Sequence, residues 1–462
     1  MSKPKQRPPT SRFGRLARLA GLGTKGLPLA IETARRALGK ERSEEEEVEA
    51  RKRMKVEAKK AAEAMLKTLG EMKGLPLKIG QMISYIDGIA PPGYEDRFQQ
   101  ILKQLLDKAL PLSPEAAVKV IGAELEGHPT ELFAEWEHEP FAAASIGQVH
   151  RAVTHGGQPV AVKVQYPGID KAIRNDLKSV ALLQGMMGPL MMHKENAKET
   201  LKELTEVFLS ELDYTREAQS ADLFRRIHHA DPEIVIPRVH QSLSTRRVLT
   251  AEQMGGIGYE EFCATASQEQ RNRSGMTIWR FMFRALLGHG WLYADPHPGN
   301  YRFLEDGRVA FLDFGCVKQI SPGLIAGLKR YMIAALDKDW DEFDRACVEV
   351  LDYDPNDPSW EVYRSYTIEL LGPLIEDVWE CNPDRAREAV TSIVKGMKGL
   401  TFRDGETLPT VPYVPNVPRE FTFLNRLQWG LASVMGGIGT IASFRPVTEP
   451  WIRNDIQPVP GA

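Results

Sequence analysis

Polar side chains able to hold a metal ion and phosphates stand next to rigid or apolar segments of this chain. Asp295 and Asn300 lie five positions apart in a stretch with two prolines and a glycine, which forbids helix and predicts a rigid loop. Asp313 follows the apolar run 309–312, and Lys163 ends another apolar run. Carboxylate and amide oxygens suit Mg²⁺, and a lysine at a strand end suits a phosphate.

The order and spacing of these groups match the protein-kinase signature. There an Asp and an Asn form the catalytic loop, a later Asp-Phe-Gly holds Mg²⁺, and an earlier Lys contacts the α- and β-phosphates. Here Asp313-Phe314-Gly315 begins 13 residues after Asn300. The pattern predicts that Asp295 orients the nucleophile, that Asn300 and Asp313 hold the metal, and that Lys163 binds the phosphates of ATP. A purely structural loop, with the lysine emerging from an edge strand into water, is the alternative.

Glu217 is the candidate for the carboxylate that orients Lys163. It lies in a strongly helical stretch together with Glu211 and Asp213. A charged run on a helix is more often a solvated face, so this assignment depends on the other motifs. Glu217 follows Lys163 by 54 residues, which predicts a helical insertion between them.

The segment that should cover the phosphates departs from the kinase pattern. A glycine-rich loop lets backbone N–H groups approach the γ-phosphate, but here the residues are Ala142, Ala143, Ala144 and Ser145, with Gly147 the only glycine. In addition, no Ala-Pro-Glu follows Asp-Phe-Gly, although a protein kinase builds its peptide platform in that segment. The sequence therefore argues against ordinary protein phosphorylation.

With these departures, the chain resembles the UbiB family of atypical, protein-kinase-like proteins over roughly residues 60–445. The resemblance rests on six motifs in order, namely Lys78-Ile79-Gly80-Gln81, the segment 142–150, Val160 to Lys163, Glu211 to Tyr214 with Glu217, Asp295 to Asn300, and Asp313-Phe314-Gly315.

The resemblance implies an α+β, atypical protein-kinase-like fold of two lobes, with an N-terminal helical extension over the active-site cleft. It implies that Lys78 and Gln81 of this extension face the active site as catalytic residues, with Glu211 and Asp213 nearby. Glu217 would pair with Lys163, and Ala142 to Ser145 would bind the nucleotide. ATP or ADP with Mg²⁺ are the implied cofactors. The implied partners are isoprenoid or quinone lipid precursors and their biosynthetic enzymes. By pattern alone, Lys78 is a lysine on an amphipathic helix.

Composition places the chain among ordinary soluble proteins, with 462 residues, 26% charged and 42% hydrophobic. The net charge of -3 hides an asymmetry, because residues 1–42 contain eleven Lys or Arg and two Glu and so carry about +9. The four cysteines are widely spaced and form no CxxC pair, which argues against a disulfide framework or a zinc site and favours a reducing compartment.

Residues 12–38 alternate leucines with arginines and resemble a basic amphipathic helix that lies on an anionic membrane surface. A helix docked on the protein's own core and an organelle transit peptide are the alternatives. We predict a cytoplasmic protein, peripheral at the inner membrane. A single aromatic residue, Phe13, accompanies these basic residues, so nucleic-acid binding is not predicted. The sixteen uncharged residues from Trp429 to Phe444 contain four glycines and are too short to span a bilayer, so we predict a buried helix.

We divide the chain into 1–42 (the basic N-terminus), 43–138 (the helical extension), 139–256 (an N-lobe with a helical insertion) and 257–462 (a mainly helical C-lobe). A helix should begin at Pro114, an apolar helix should follow Asp-Phe-Gly at Ser321-Pro322-Gly323, and a hairpin should turn at Gly156-Gly157. A helix is predicted over 276–292, and the chain beyond 276 should be helical apart from one strand at 309–312. Prolines at every third position over 409–418 predict an extended linker.

Two functional hypotheses follow. The first is an enzyme that hydrolyses ATP or phosphorylates a small molecule in quinone or isoprenoid-lipid biosynthesis at a membrane surface. The second is a non-catalytic, nucleotide-gated lipid chaperone or scaffold, which the alanines and the helix carrying Lys78 favour. An active protein kinase is a third possibility, against which the missing peptide platform argues.

Overall fold

The fold is taken from a computed structural model, which describes residues 113–144, 146–171, 173–174, 209–383 and 420–461. The chain divides into two compact units. Unit 1 contains the described residues as far as Tyr214 together with Gln241–Thr250, and unit 2 contains Thr215–His240 and the described residues from Ala251 onward.

Several predictions lie wholly or partly outside the described residues. They concern the basic N-terminus, the helical extension up to residue 112, the residues Lys78, Gln81 and Ser145, and the proline repeat at 409–418. The four-part division of the chain stays a prediction.

The described strands are, in chain order, β1 (Glu135–Trp136), β2 (Ala142–Ala143), β3 (Gly147–Val153), β4 (Pro159–Gln165), β5 (Ile234–Val235), β6 (Val248–Glu252), β7 (Trp291–Tyr293), β8 (Tyr301–Phe303), β9 (Val309–Phe311), β10 (Val317–Gln319), β11 (Trp379–Glu380) and β12 (Ile441–Ala442).

The described helices are α1 (Pro114–Leu125), α2 (Pro129–Leu132), α3 (Tyr214–Ile227), α4 (Tyr259–Thr265), α5 (Gln268–Phe283), α6 (Pro322–Asp337), α7 (Trp340–Leu351), α8 (Trp360–Leu370), α9 (Gly372–Ile375), α10 (Phe421–Ile438) and α11 (Arg445–Arg453). The predicted start at Pro114 is confirmed, as is the helix that begins at Pro322.

A five-stranded sheet forms unit 1, in the order β1-β3-β4-β6, with β2 also paired to β3. β3 and β4 are antiparallel, and their turn contains Gly157 at φ +76°, a conformation that favours glycine. The predicted hairpin is therefore confirmed. Alternate residues of β4 point to the same face of the sheet, and that face packs with α1 into one core, which includes Ala117, Val120, Ile121, Val160, Val162 and Val164.

Aromatic side chains form the centre of unit 2. Phe281 of α5 stacks on Phe311 of β9 with ring centroids 3.6 Å apart. Phe224 of α3 and Phe314 lie against each other at 5.6 Å, and both contact Tyr293. All five rings are buried, so they hold α3, α5 and the strands around residues 293–314 in one core.

The chain beyond residue 276 is less helical than predicted. The predicted helix over 276–292 ends at Phe283, a π-helical turn covers Arg284–Gly288, and β7 follows. Besides the predicted strand β9, the segment forms β8 and β10, with β11 and β12 further on. These strands have two or three residues each, so they carry no readable periodicity, and their pairing with distant segments forms them.

The buried helix predicted over Trp429–Phe444 is confirmed in part as α10, which begins earlier, at Phe421, and ends where Gly439 adopts φ +71°. The end of the predicted range is not helical, because β12 follows at Ile441–Ala442. The buried residues of α10 include Leu427, Leu431, Val434 and Ile438. Within the described ranges, no helix is both long and apolar enough to cross a membrane.

Candidate active site

Two pairs of short strands bring Asp295 and the predicted metal ligands Asn300 and Asp313 to one place in unit 2. In the first pair, Tyr293 of β7 lies opposite Val317 of β10, and the Ala294 N–H donates to the Cys316 carbonyl at 2.9 Å. Asp295 therefore leaves β7 next to the point where the Asp-Phe-Gly segment enters β10.

The second pair joins the two predicted metal ligands, Asn300 and Asp313. Tyr301 of β8 lies opposite Phe311 of β9, and the Leu312 N–H donates to the Asn300 carbonyl at 3.0 Å. Asn300 directly precedes β8, and Asp313 follows Leu312. The two side chains therefore leave the same end of this strand pair.

Asn300 and Asp295 are joined by side-chain hydrogen bonds. The Asn300 Nδ2 donates to the Asp295 backbone oxygen at 2.9 Å and to Asp295 Oδ2 at 3.4 Å. A turn of 3₁₀ helix over Pro298–Asn300 closes the loop, and the His297 ring nitrogen accepts from the Gly299 N–H at 3.0 Å. The loop is therefore ordered by its own polar side chains.

The Asp-Phe-Gly segment is fixed at two points. Asp313 Oδ1 accepts a hydrogen bond from the Gly315 N–H at 2.9 Å, and the Phe314 ring lies in the aromatic core. Tyr293 is fully buried beside this segment. Burial raises the pKa of Tyr293 well above its usual value, and the nearby Tyr301, Asp313 and Asp295 raise it further, so its hydroxyl stays protonated.

Arg426 of α10 is a site residue that the sequence interpretation missed. Its Nη2 lies 2.6 Å from Asp295 Oδ1, and the two side chains are only 12% and 17% exposed. Its Nη1 also lies 3.8 Å from the Cys316 sulfur. One signal was available, because Arg426 is the only charged residue of α10, and a charge in an apolar helix needs a partner.

α10 also contacts the catalytic loop through Gly430. A Cβ on Gly430 would lie 2.5 Å from Pro296 Cγ, closer than atoms in folded proteins approach. The absence of a side chain there lets the helix backbone lie against the loop. Arg426 and Gly430 are four residues apart, so they share the helix face that meets Asp295 and Pro296.

In unit 1, Lys163 lies near the end of β4, opposite Val149 of β3, and is half-buried. Its Nζ lies 5.1 Å from the centroid of the Tyr214 ring, within cation–π range. The Tyr214 N–H donates to the Arg246 carbonyl at 3.0 Å. Tyr214 therefore restricts where the ammonium group can lie, a role that the sequence interpretation did not assign.

The alanines form an exposed strand in unit 1. Ala142 and Ala143 pair with Val149 and Gln148 of β3, and the Ala144 N–H donates to the Gly147 carbonyl at 2.9 Å. A Cβ on Gly147 would lie 2.3 Å from the Val164 carbonyl oxygen. Gly147 is thus required by close packing on β4.

The predicted acidic residues fall in both units. Glu211 and Asp213 belong to unit 1, where Asp213 lies 4.0 Å from Arg246 in an ion pair. Glu217 lies in the first turn of α3 in unit 2 and is 6% exposed. Its pairing with Lys163 stays a prediction.

Comparison with known proteins finds a matching family model and relatives of similar sequence. A family model described as the ABC1 atypical kinase-like domain matches residues 104–347. The protein "Atypical kinase COQ8B, mitochondrial" of Danio rerio is 33% identical over 314 residues, which cover 67% of this chain and 49% of that protein. "Protein ACTIVITY OF BC1 COMPLEX KINASE 8, chloroplastic" of Arabidopsis thaliana is 33% identical over 281 residues, or 59% of this chain and 36% of that protein.

A solved structure matches over most of the chain. The Mycobacterium tuberculosis protein Rv3197, determined in complex with erythromycin, is 25% identical, with a TM-score of 0.61 over 90% of this chain and 100% of that chain. In contrast, the matched region is half or less of the length of the two curated relatives.

Proposed function

Because the chain belongs to the ABC1 family of atypical kinase-like domain proteins, we propose that it is an ATPase or phosphotransferase that uses ATP and Mg²⁺. The resemblance to UbiB proteins and the protein-kinase-like α+β fold, both predicted from the sequence, are confirmed by the family and structure matches. One observation carries the proposal. Paired strands gather Asp295, Asn300 and Asp313 in unit 2, in the order and spacing of a kinase catalytic loop and metal-binding segment.

The residues present fit Mg²⁺ bound together with ATP. Within the described part of the chain, no group of three or more His, Cys, Asp or Glu could hold a metal ion. Mg²⁺ rarely uses such an all-protein cage and is usually bound by one or two carboxylates together with phosphates and water. Asp313 and the Asn300 side-chain oxygen would supply the protein ligands, since the Asn300 nitrogen is bonded to Asp295.

Asp295 is suited to orient the phosphoryl acceptor. Arg426 compensates its charge, and Asn300 holds its position in the loop. A carboxylate held in this way can accept a hydrogen bond from water or a hydroxyl and align it for attack. Phosphoryl transfer depends mainly on positioning and charge stabilisation, so a strong base is not required. Bound Mg²⁺ would neutralise charge on the phosphates.

Unit 1 would supply the second set of nucleotide contacts. Lys163 would bind the α- and β-phosphates, with its position restricted by the Tyr214 ring. The resemblance adds a Glu217–Lys163 pair and contacts from Lys78, Gln81, Glu211 and Asp213, and these assignments are part of the proposal.

We place the reaction in ubiquinone or other prenyl-lipid biosynthesis at a membrane surface. Two observations support this placement. One is the family resemblance, and the other is that the names of two relatives describe them as mitochondrial and chloroplastic. The acceptor would be water or an isoprenoid or quinone precursor, with the biosynthetic enzymes as partners. The basic segment 12–38 supports peripheral attachment. Removal of residues 1–40 should abolish binding to anionic liposomes without lowering the melting temperature.

The test is phosphate release from ATP by the purified full chain with Mg²⁺, with and without cardiolipin-containing liposomes. Asp313→Asn should lower turnover at least about 100-fold, because a metal ligand is lost. Asp306→Asn is the matched control, since Asp306 is exposed and pairs with Arg308 on a turn. Normal turnover in Asp313→Asn would refute the metal assignment.

A second candidate is the nucleotide-gated lipid chaperone or scaffold. It is favoured by the Ala144 N–H, which is already bonded to the Gly147 carbonyl and is therefore not free to bind a phosphate. This candidate predicts tight nucleotide binding without turnover under every condition above. It also predicts that Asp295→Ala keeps its biological function as long as the nucleotide is bound.

A further inference from the structure

Arg426 of α10 lies beside the carboxylate that would orient the phosphoryl acceptor. Its Nη2 is 2.6 Å from Asp295 Oδ1, and the other carboxylate oxygen, Oδ2, faces the Asn300 side chain at 3.4 Å. We propose that Arg426 is a catalytic residue that donates hydrogen bonds to the phosphoryl group during its transfer from ATP. This role rests on the phosphotransferase function proposed above.

An acceptor held by Asp295 brings the phosphoryl group within reach of Arg426. The acceptor oxygen would lie about 2.7 Å from an Asp295 oxygen, and the phosphorus about 3–3.5 Å beyond it. Because the Arg426 Nη2 already contacts Asp295, the guanidinium and the phosphoryl group would be neighbours at the same carboxylate. A planar guanidinium has five N–H donors, so it can contact a carboxylate and a phosphoryl oxygen at once.

The site needs a positive charge that its sequence motifs do not supply. In phosphoryl transfer, negative charge spreads over three oxygens of the transferred group, and an arginine often compensates it. Neither residues 293–300 nor residues 313–316 contain a Lys or Arg. The His297 Nδ1 accepts from the Gly299 N–H, so this ring is neutral. Arg426, from a distant helix, brings a cation to the Asp295 carboxylate.

The packing of α10 fixes the position of Arg426. A Cβ on Gly430, one helical turn later, would lie 2.5 Å from Pro296 Cγ, so the helix backbone lies directly against the loop. At the end of the helix, Arg271 Nη1 donates to the Ile438 carbonyl at 2.7 Å. A donor held in this way needs no reorganisation when charge develops in the transition state.

Stability alone does not account for the Arg426–Asp295 pair. The two side chains are only 12% and 17% exposed, and such a pair contributes little compared with apolar side chains of similar size, because both charges lose their hydration. A lysine would compensate Asp295 as a point charge, whereas arginine presents planar donors to two partners. Arg426→Lys therefore separates a structural countercharge from a phosphoryl contact.

The transfer step defines what Arg426 does. The bond between the γ-phosphorus and the oxygen that bridges to the β-phosphate breaks, while the acceptor oxygen forms the new bond to phosphorus. ADP leaves with the electron pair of the broken bond, and the acceptor proton passes to Asp295 and then to water. Arg426 exchanges no proton, because a guanidinium is not deprotonated in proteins. It stabilises the charge on the phosphoryl oxygens.

The experiment compares the binding of ADP with that of ADP plus aluminium fluoride, a mimic of the phosphoryl group in transfer. The full chain is titrated with each in the presence of Mg²⁺ by calorimetry. Arg426→Lys should weaken the fluoride complex about tenfold and change ADP affinity by less than about twofold, because ADP lacks the group that Arg426 contacts.

Arg271→Lys is the matched control, since the hydrogen bonds of Arg271 go to backbone carbonyls, one of them at the end of α10. It should leave both affinities unchanged. A preference for the fluoride complex that survives in Arg426→Lys would overturn the proposal and leave the phosphotransferase function in place. A wild-type chain without this preference would overturn it as well, and the turnover assay above shows whether the proposed function fails with it.

Turnover gives a second readout. Arg426→Lys should lower kcat at least about 100-fold and change the KM for ATP less than about threefold, because the contact is strongest in the transition state. A purely structural countercharge would be replaced by the lysine, and kcat would be retained.

If Arg426→Lys does not fold, a second pair of variants decides. Asp295→Asn is compared with Asp295→Asn plus Arg426→Gln, and the latter leaves neither charge buried without its partner. The double variant should bind the fluoride complex about tenfold more weakly than Asp295→Asn does. Equal binding would refute the phosphoryl contact.

Discussion

The alanine segment (residues 142–144 and 146–147) in unit 1 and the predicted catalytic loop (residues 293–300, here called the catalytic loop) in unit 2 are held in different ways. Backbone pairing with β3 fixes the alanine segment, and the side chains of Ala142 and Ala143 are exposed. In contrast, side-chain contacts fix the catalytic loop, above all the pairs that Asp295 makes with Arg426 and Asn300.

This difference determines where mutations should matter. A segment held by backbone hydrogen bonds tolerates side-chain changes that leave those bonds in place. A loop held by buried polar side chains loses stability when either partner of a pair is removed, because the remaining group stays buried without its partner. Gly147 is the exception within the alanine segment, since its lack of a side chain is required.

We expect the largest effect from Arg426→Ala, which leaves the mostly buried Asp295 carboxylate without its countercharge. The free energy of unfolding should fall by about 3 kcal/mol, measured by urea denaturation. Arg308→Ala is the control, because the Arg308–Asp306 pair at 2.7 Å is about half exposed and should contribute under about 0.5 kcal/mol. Equal losses in the two variants would show that the catalytic loop does not depend on this pair.

The next largest effect should come from Gly147→Ala. The added methyl group would overlap the Val164 carbonyl oxygen and push β3 away from β4, at a cost of about 2 kcal/mol in urea denaturation. Gly156→Ala is the control, because its nearest neighbour would be a Thr154 oxygen at 3.7 Å. If Gly147→Ala is as stable as the control, the close contact with β4 is not present in solution.

The pH dependence of stability can test whether His228 lies in the aromatic core that also contains Phe314. The His228 ring stacks on Phe281 at 4.8 Å, and burial, with Arg284 nearby, holds its pKa well below the usual 6.5. The unfolded chain therefore binds a proton below pH 6.5 that the folded chain does not. Stability should fall by about 1 kcal/mol between pH 6.5 and 5.5.

His228→Phe should remove this part of the pH dependence, because Phe fills an aromatic site and does not titrate. His229→Gln is the control, since His229 is the adjacent, exposed histidine. Urea denaturation at both pH values measures the slope. An unchanged slope in His228→Phe would mean that His228 is protonated in the folded protein.

The smallest effect should come from Ala143→Gly. Ala143 is exposed, and its pairing with Gln148 uses only backbone atoms, so the cost should be about 0.5 kcal/mol from added chain entropy. A loss as large as that of Arg426→Ala would mean that the alanine methyl groups make contacts essential for the fold.

The features that the sequence could predict depend on residues that lie close together along the chain. The hairpin joins two apolar runs across Gly156-Gly157, and prolines mark the starts of α1 and α6, so neighbouring residues carry the information. The spacing of Asp295, Asn300 and Asp313 predicted that these residues belong to one site. In the structure, the short strands do bring them together.

Long-range contacts explain what could not be predicted. β7, β8 and β10 have three residues each and form only because distant segments pair with them. Arg426 meets Asp295 from 131 residues away, so no local pattern connects the two. In the sequence, Gly147 is only the single glycine of a segment that departs from the kinase pattern, and its role is visible only once β4 lies against it.

The position of α10 along the chain has a practical consequence. The family match ends at residue 347, whereas Arg426 and Gly430, which hold the catalytic loop, come much later. A shortened protein that stops at the end of the matched domain would contain every recognisable motif residue and still lack the helix against which Asp295 is held. A fragment that keeps Asp295 paired with Arg426 and backed by the whole of α10 must therefore extend through Ile438.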